Sequence, residues 1–170
     1  MRIFRFLTAL AIAAVGLSTS LPATAAEVVS LADQAYAPGT IIVRTGERRL
    51  YFVLGNGRAV RYVVGVGKQG KQWIGTKQIV RKMLKPDWAP PPEVKHDIPT
   101  IPDFIRGGTP GNPLGVAALV MTGGDYAIHG TNRPGSVGGF VSYGCIRMYN
   151  SDIMNLFAKV SVGTPVVVMR

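Results

Sequence analysis

One cysteine, Cys145, and two histidines, His96 and His129, are all that the 170-residue chain holds of those residue types. A lone thiol excludes any disulfide within the chain. One cysteine with two distant histidines does not make a zinc ligand set of ordinary spacing either. Acidic side chains are scarce too, nine against nineteen Lys and Arg, which leaves a formal charge of +10. Such a surface suits anionic wall polymer, lipid headgroups or nucleic acid. The last is disfavoured, because there is no arginine-rich arm and no helix-turn-helix pattern. No apolar run reaches the roughly 20 residues that span a bilayer. No internal repeat, low-complexity linker or second domain is visible.

The N-terminus has the layout of a secretory signal. Arg2 and Arg5 precede an apolar core over residues 6–17, and Ala23-Thr24-Ala25 forms a small-x-small cleavage site. No cysteine follows the apolar core, so a lipid anchor is not expected. Cleavage after Ala25 would leave about 145 residues, enough for one domain with a full core, without a stable membrane span. Losing Arg2 and Arg5 takes the charge from +10 to +8. In an exported protein cysteines usually pair as disulfides, so a single one is either buried and inert or kept for its reactivity.

The rest reads as mainly β. Short apolar or alternating runs lie at 41–43, 49–54, 59–66, 77–84, 116–121, 126–129 and 166–169, and Asn56-Gly57 is a strong signal for a tight hairpin. A sandwich or barrel-like sheet fold follows. One helix is expected after Tyr149, capped by Asn150, with Asp152 in its first turn and Ile153, Met154, Leu156, Phe157 and Val160 on one face; Gly163 and Pro165 stop it. Residues 86–113 carry eight of the twelve prolines, too many for a strand, and read as an ordered loop passing over the sheet.

The chemistry concentrates in IHGTNRPGSVGGFVSYGCIRM, residues 128–148. His129 ends a strand, Cys145 follows sixteen residues later, and the glycines between permit a reversing loop that lets them meet. Only a thiolate is a good nucleophile, and an adjacent imidazole can take the proton. Arg133 and Arg147 are candidates for an electropositive setting, with Asp152 as an alternative, structural partner for Arg147. Amides at Gly144 and Cys145 are candidates to hold an oxyanion. His96 reads as a solvated loop residue. The residues alone point to a Cys-His acyl-transfer enzyme, leaving protease, amidase and transpeptidase open.

IHGTNRPGSVGGFVSYGCIRMYNSDI resembles the signature of the L,D-transpeptidase catalytic domain, the YkuD or ErfK/YbiS family: a histidine and glycine, a spacer, then Ser-x-Gly-Cys-apolar-Arg or Asn. WIGTKQIVRKMLKPDWAPP, GGTPGNPLGVAAL and GTPVVVM resemble that family's flanking segments, so the likeness covers roughly residues 40–170. Residues 1–25 are then the signal peptide, 26–39 a short extension and 40–170 the catalytic domain. The resemblance implies a β-sandwich-like fold and cysteine transpeptidation in peptidoglycan, in the periplasm or cell wall, without metal or cofactor. Cys145 would attack a stem tetrapeptide at its third residue and release D-Ala. An amine of another stem peptide or of an envelope protein would then take the acyl group. His129 would be the base, oriented by the Gly130 carbonyl, with Ser142 and Arg147 toward the substrate.

Two positions depart from the family pattern. Tyr143 stands where many members have a second histidine; a phenol with a pKa of about 10 is no base near neutrality, but its hydroxyl can donate a hydrogen bond, at the oxyanion or to position the Cys145 loop. Ala117 and Ala118 lie where relatives often carry an arginine. A hydrolase on the same fold and a non-catalytic wall-binding protein are the competing readings.

Overall fold

The computed structural model describes residues 26–32, 35–124 and 126–170. The segment 1–25, read as an export signal, lies outside the described residues. Eleven strands are present among those described: β1 Glu27–Ser30, β2 Ile41–Arg44, β3 Arg49–Gly55, β4 Arg58–Val63, β5 Val66–Gly67, β6 Gly75–Leu84, β7 Ala117–Met121, β8 Ala127–His129, β9 Phe140–Ser142, β10 Ile146–Arg147 and β11 Pro165–Met169. Helix α1 is Pro92–Asp97 and α2 is Asn150–Phe157.

Nine strands form one sheet in the order β1-β4-β3-β2-β11-β6-β7-β8-β10; β5 and β9 pair separately. Strand β6 changes partner along its length. Its first residues pair with β11, and from Ile79 onward it pairs with β7. The sheet therefore has two halves, and a core closes between them. Ile41, Val43, Leu50 and Tyr62 from one half meet Leu119, Met121, Ile128 and Ile146 from the other, with Ile153 and Leu156 of α2. The alternation of a strand sends Ile42, Tyr51 and Val53 to the opposite face, where Leu31 covers them. A mainly β, sandwich-like architecture is what the alternating runs implied.

Several local expectations hold. Asn56 and Gly57 adopt φ of 53° and 65° and turn β3 into β4, the primed hairpin geometry. Others change. The return strand expected over 59–66 breaks after Val63, and its end becomes β5, which pairs in parallel with β9. The proline-rich passage is not all loop: Pro92 opens α1, where its missing N–H costs nothing, and Trp88 bridges Ile105 behind it. Tyr149, not Asn150, occupies the N-cap of α2, and no side chain caps it. Asn150 is the first residue of the helix, and its side-chain amide bonds Thr131. Among the described residues no helix is long and apolar enough to cross a membrane.

Candidate active site

His129 is the last residue of β8 and is 3% exposed. Its Nδ1 lies 2.6 Å from the Gly130 carbonyl. A carbonyl only accepts, so Nδ1 carries the proton and Nε2 keeps a lone pair. Burial, aided by the Arg147 charge, brings the imidazole down to about 4, against the Gly130 carbonyl, which favours the protonated ring. The ring is neutral at neutral pH.

The carbonyl that orients this ring is itself located by Asn150. Asn150 Nδ2 donates to the Thr131 carbonyl at 3.0 Å, and its Oδ1 accepts the Thr131 N–H at 2.9 Å. A Cβ on residue 130 would come within 2.2 Å of that Oδ1. Glycine at 130 is therefore required by the close approach of the Asn150 amide, a reason the sequence did not disclose.

Cys145 enters β10, which pairs in parallel with β8 in the register Ile146↔Ile128 and Arg147↔His129. Extending the register by one residue sets Cys145 opposite Ala127, so its side chain shares a face with that of His129, one diagonal step away. The Ala127 backbone hydrogen-bonds the thiol. Burial pushes the thiol up; the Ala127 bond and Arg147 pull the other way without overcoming it. The resting thiol is protonated. The glycine-rich run between the two residues is not a free tether, since β9 is pinned to β5 and Pro134–Ser136 forms a 3-10 turn.

The turn before Cys145 engages two of the residues expected at the site. Ser142 is 3% exposed, and its hydroxyl donates to the Cys145 carbonyl at 2.6 Å while accepting the Gly144 N–H at 3.1 Å. The hydroxyl expected toward a substrate thus donates one bond and accepts another within the turn. The Gly144 N–H, expected as one of two oxyanion donors, is engaged by that hydroxyl. Gly144 has φ of 120°, and a Cβ there would meet the Tyr126 ring at 2.3 Å. Trp73 Nε1 donates to the Gly144 carbonyl at 2.9 Å.

Tyr143 is engaged with α1. Its hydroxyl donates to Asp97 of α1 at 2.7 Å, and Lys68 Nζ lies 3.8 Å from its ring centroid and 3.2 Å from the same carboxylate. These donors, with His96, hold the Asp97 carboxyl well below the usual range. Tyr143 thus ties the turn before Cys145 to the proline-rich passage. His96 is exposed, as expected, though it sits in α1 and not in a loop, and its Nδ1 lies 3.3 Å from the carboxylate of its neighbour Asp97.

Arg147 donates from Nη1 to Ser136 Oγ at 2.9 Å, and its Nε is buried without a partner. It makes no ion pair with Asp152, so that structural alternative drops out. Arg133 is exposed and acts on Arg147 only through its charge. Asp152 is 4% exposed, its Oδ2 has no partner, and burial raises its carboxyl to about 6. Ala117 and Ala118 are buried strand residues, Ala118 directly across from His129. Trp73, Asp97 and Lys68 were missed because they come from elements remote in sequence, and Tyr126, three residues before His129, because its ring packs against Trp73 and Gly144 only in the folded chain.

Comparison with known proteins gives a consistent picture. Residues 38–168 match the family described as the L,D-transpeptidase catalytic domain. The probable L,D-transpeptidase ErfK/SrfK of Escherichia coli is 35% identical over 164 residues, covering 89% of this chain and 51% of that protein. The probable L,D-transpeptidase YbiS of the same organism is also 35% identical, with 89% and 52% covered. The chain thus spans about half the length of these relatives. L,D-transpeptidase 3 of Mycobacterium tuberculosis, solved with a faropenem-derived adduct, aligns with a TM-score of 0.61 at 16% identity, covering 77% of this chain and 60% of that one. At that identity the likeness speaks for the fold alone. A Brucella melitensis protein, described as a probable carnitine operon oxidoreductase, is 37% identical with a TM-score of 0.56, covering 87% of this chain and 95% of that one. The oxidoreductase name belongs to that protein.

Proposed function

Because the chain belongs to the L,D-transpeptidase catalytic-domain family, we propose that it is an exported cysteine acyltransferase acting on peptidoglycan stem peptides. Cys145 is its nucleophile and His129 its base. The observation that carries this reading is the orientation of His129: a neutral imidazole with Nδ1 fixed on the Gly130 carbonyl, on the same sheet face as a protonated thiol.

Nε2 takes the Sγ proton as Sγ bonds to the carbonyl carbon of the third residue of a stem tetrapeptide. The negative charge forming on that oxygen is met by the Cys145 N–H. The bond to the terminal D-Ala nitrogen then breaks, and His129 returns the proton to the departing amine. A thioester remains. An acceptor amine attacks it, a new C–N bond forms, and the Cys145 sulfur leaves and regains a proton by way of His129. The Arg147 charge, directly across from His129 and two residues on from Cys145, favours the thiolate as it develops. The basic composition suits a wall rich in carboxylates, and the acceptor is another stem peptide or an envelope protein.

Mass spectrometry of purified tetrapeptide muropeptides after incubation with the protein tests this. Cross-linked dimers with release of D-Ala are the expected result. Tripeptides alone would make the protein a hydrolase, with water in place of the amine. Unchanged tetrapeptides would leave a wall-binding protein.

A further inference from the structure

The peptide joining Gly144 to Cys145 is anchored by one edge. Its carbonyl accepts the Trp73 indole N–H at 2.9 Å. Its N–H, which belongs to Cys145, meets no acceptor among the described residues. A trans peptide points these two groups in opposite directions, so whatever holds the carbonyl also aims the N–H. The groups on either side are occupied, the Gly144 N–H by Ser142 and the Cys145 carbonyl by the same hydroxyl.

The indole is located in turn. Tyr126 stacks on Trp73 with centroids 5.1 Å apart and planes 8° from parallel, and the same ring fills the space beside Gly144. Lys77 Nζ lies 5.6 Å and 5.5 Å from the two ring centroids. A donor set in advance of the reaction stabilises developing charge without reorganising when that charge appears.

We infer that Trp73 is a positioning residue for acyl transfer: by holding the Gly144 carbonyl, its indole N–H keeps the Cys145 N–H aimed at the oxygen that becomes an oxyanion. The inference rests on the acyl-transfer reading proposed above. Trp73 touches no reacting atom and acts through one peptide plane.

Two reactions of Cys145 separate this role from general support of the loop. Acylation, by a stem tetrapeptide or a carbapenem, forms an oxyanion. Alkylation by iodoacetamide is a displacement at saturated carbon and forms none. Trp73→Phe keeps a ring for Tyr126 and removes the N–H. It is expected to slow acylation by about 10- to 100-fold, below the full loss of a donor, while alkylation and melting temperature stay at parental values. Tyr126→Leu, which removes the stack that locates the indole, is a second variant expected to show the same split. Equal slowing of both reactions, or of neither, would overturn the inference. A parent that alkylates but never acylates would remove the acyl-transfer reading and this inference with it. An acylating parent matched by Trp73→Phe would remove the inference alone.

Discussion

The side-chain amide of Asn150 bonds both backbone groups of Thr131, donating to its carbonyl and accepting its N–H. It behaves as a short piece of strand laid against residues 130 and 131, and so ties the first turn of α2 to the backbone that orients His129. Asn150→Ala should lower stability by roughly 1–2 kcal/mol, the net worth of one or two such bonds. It should also slow acylation, since the Gly130 carbonyl loses its brace. Thermal denaturation with acylation kinetics checks both; an unaltered rate would show that the His129 orientation is held without Asn150.

Cys145→Ser should form no covalent adduct with a carbapenem while retaining the fold, because a hydroxyl has neither the acidity nor the nucleophilicity of a thiol. Intact mass and circular dichroism are the measurements. An adduct on the variant would place the nucleophile elsewhere.

His129→Ala should cost roughly 10² to 10⁴ in turnover, the typical worth of a general base, and His96→Ala little. The base must be neutral, and its conjugate acid titrates at about 4. Acylation should therefore persist through pH 5 and fall on the acid side near pH 4. A limb at the ordinary histidine position, about 6.5, would mean a solvated ring in solution.

Tyr143→Phe removes the bond to Asp97 and keeps the ring beneath Lys68. Amide hydrogen exchange should quicken in α1, with a mild loss of acylation. Tyr143→His should be tolerated without a new ionisation in the pH–rate profile, since His129 supplies the proton transfers. Faster acylation with a second ionisation would give position 143 a role as a base.

Asp152→Asn should raise the melting temperature at pH 7 to 8. Burial lifts the folded carboxyl to about 6, above its unfolded value, so ionisation opposes folding above pH 6. That penalty disappears as pH falls from 6 toward 4. The gain, on the order of 1 kcal/mol after allowing for relaxation, should vanish by pH 4. His129 has the opposite sign: its folded value lies below 6.5, so its burial lowers stability as pH falls from 6.5 to 4. Asp152→Asn should therefore expose a steeper acid decline than the parent shows.

Much of the molecule was legible along the chain because its signals are local. Asn56-Gly57 has to turn, since the turn depends on two backbone angles. Alternation at Ile41, Ile42 and Val43 sorts side chains to two faces whatever those faces meet. The motif from His129 to Cys145 drew attention because an unpaired thiol, an imidazole and glycines are informative by type. Less visible were β9 and β10, of three and two residues, which are strands only because β5 and β8 are there to pair with. Asn150 was misread as a cap because its residue type suits one; the backbone at Thr131 that claims its amide is nineteen residues away.

By itself the sequence determined which side chains could do chemistry and the periodicity that makes strands of their surroundings. It could not determine direction. That Ser142 turns inward, that Tyr143 reaches α1, that the Gly144 carbonyl meets Trp73 and that Arg147 leaves Asp152 alone were decided by packing. A hydrogen bond requires its donor and acceptor within about 3 Å at a suitable angle. Between Trp73 and Gly144, or Asp97 and Tyr143, that condition is met only once sheet, helix and loop have closed on one another.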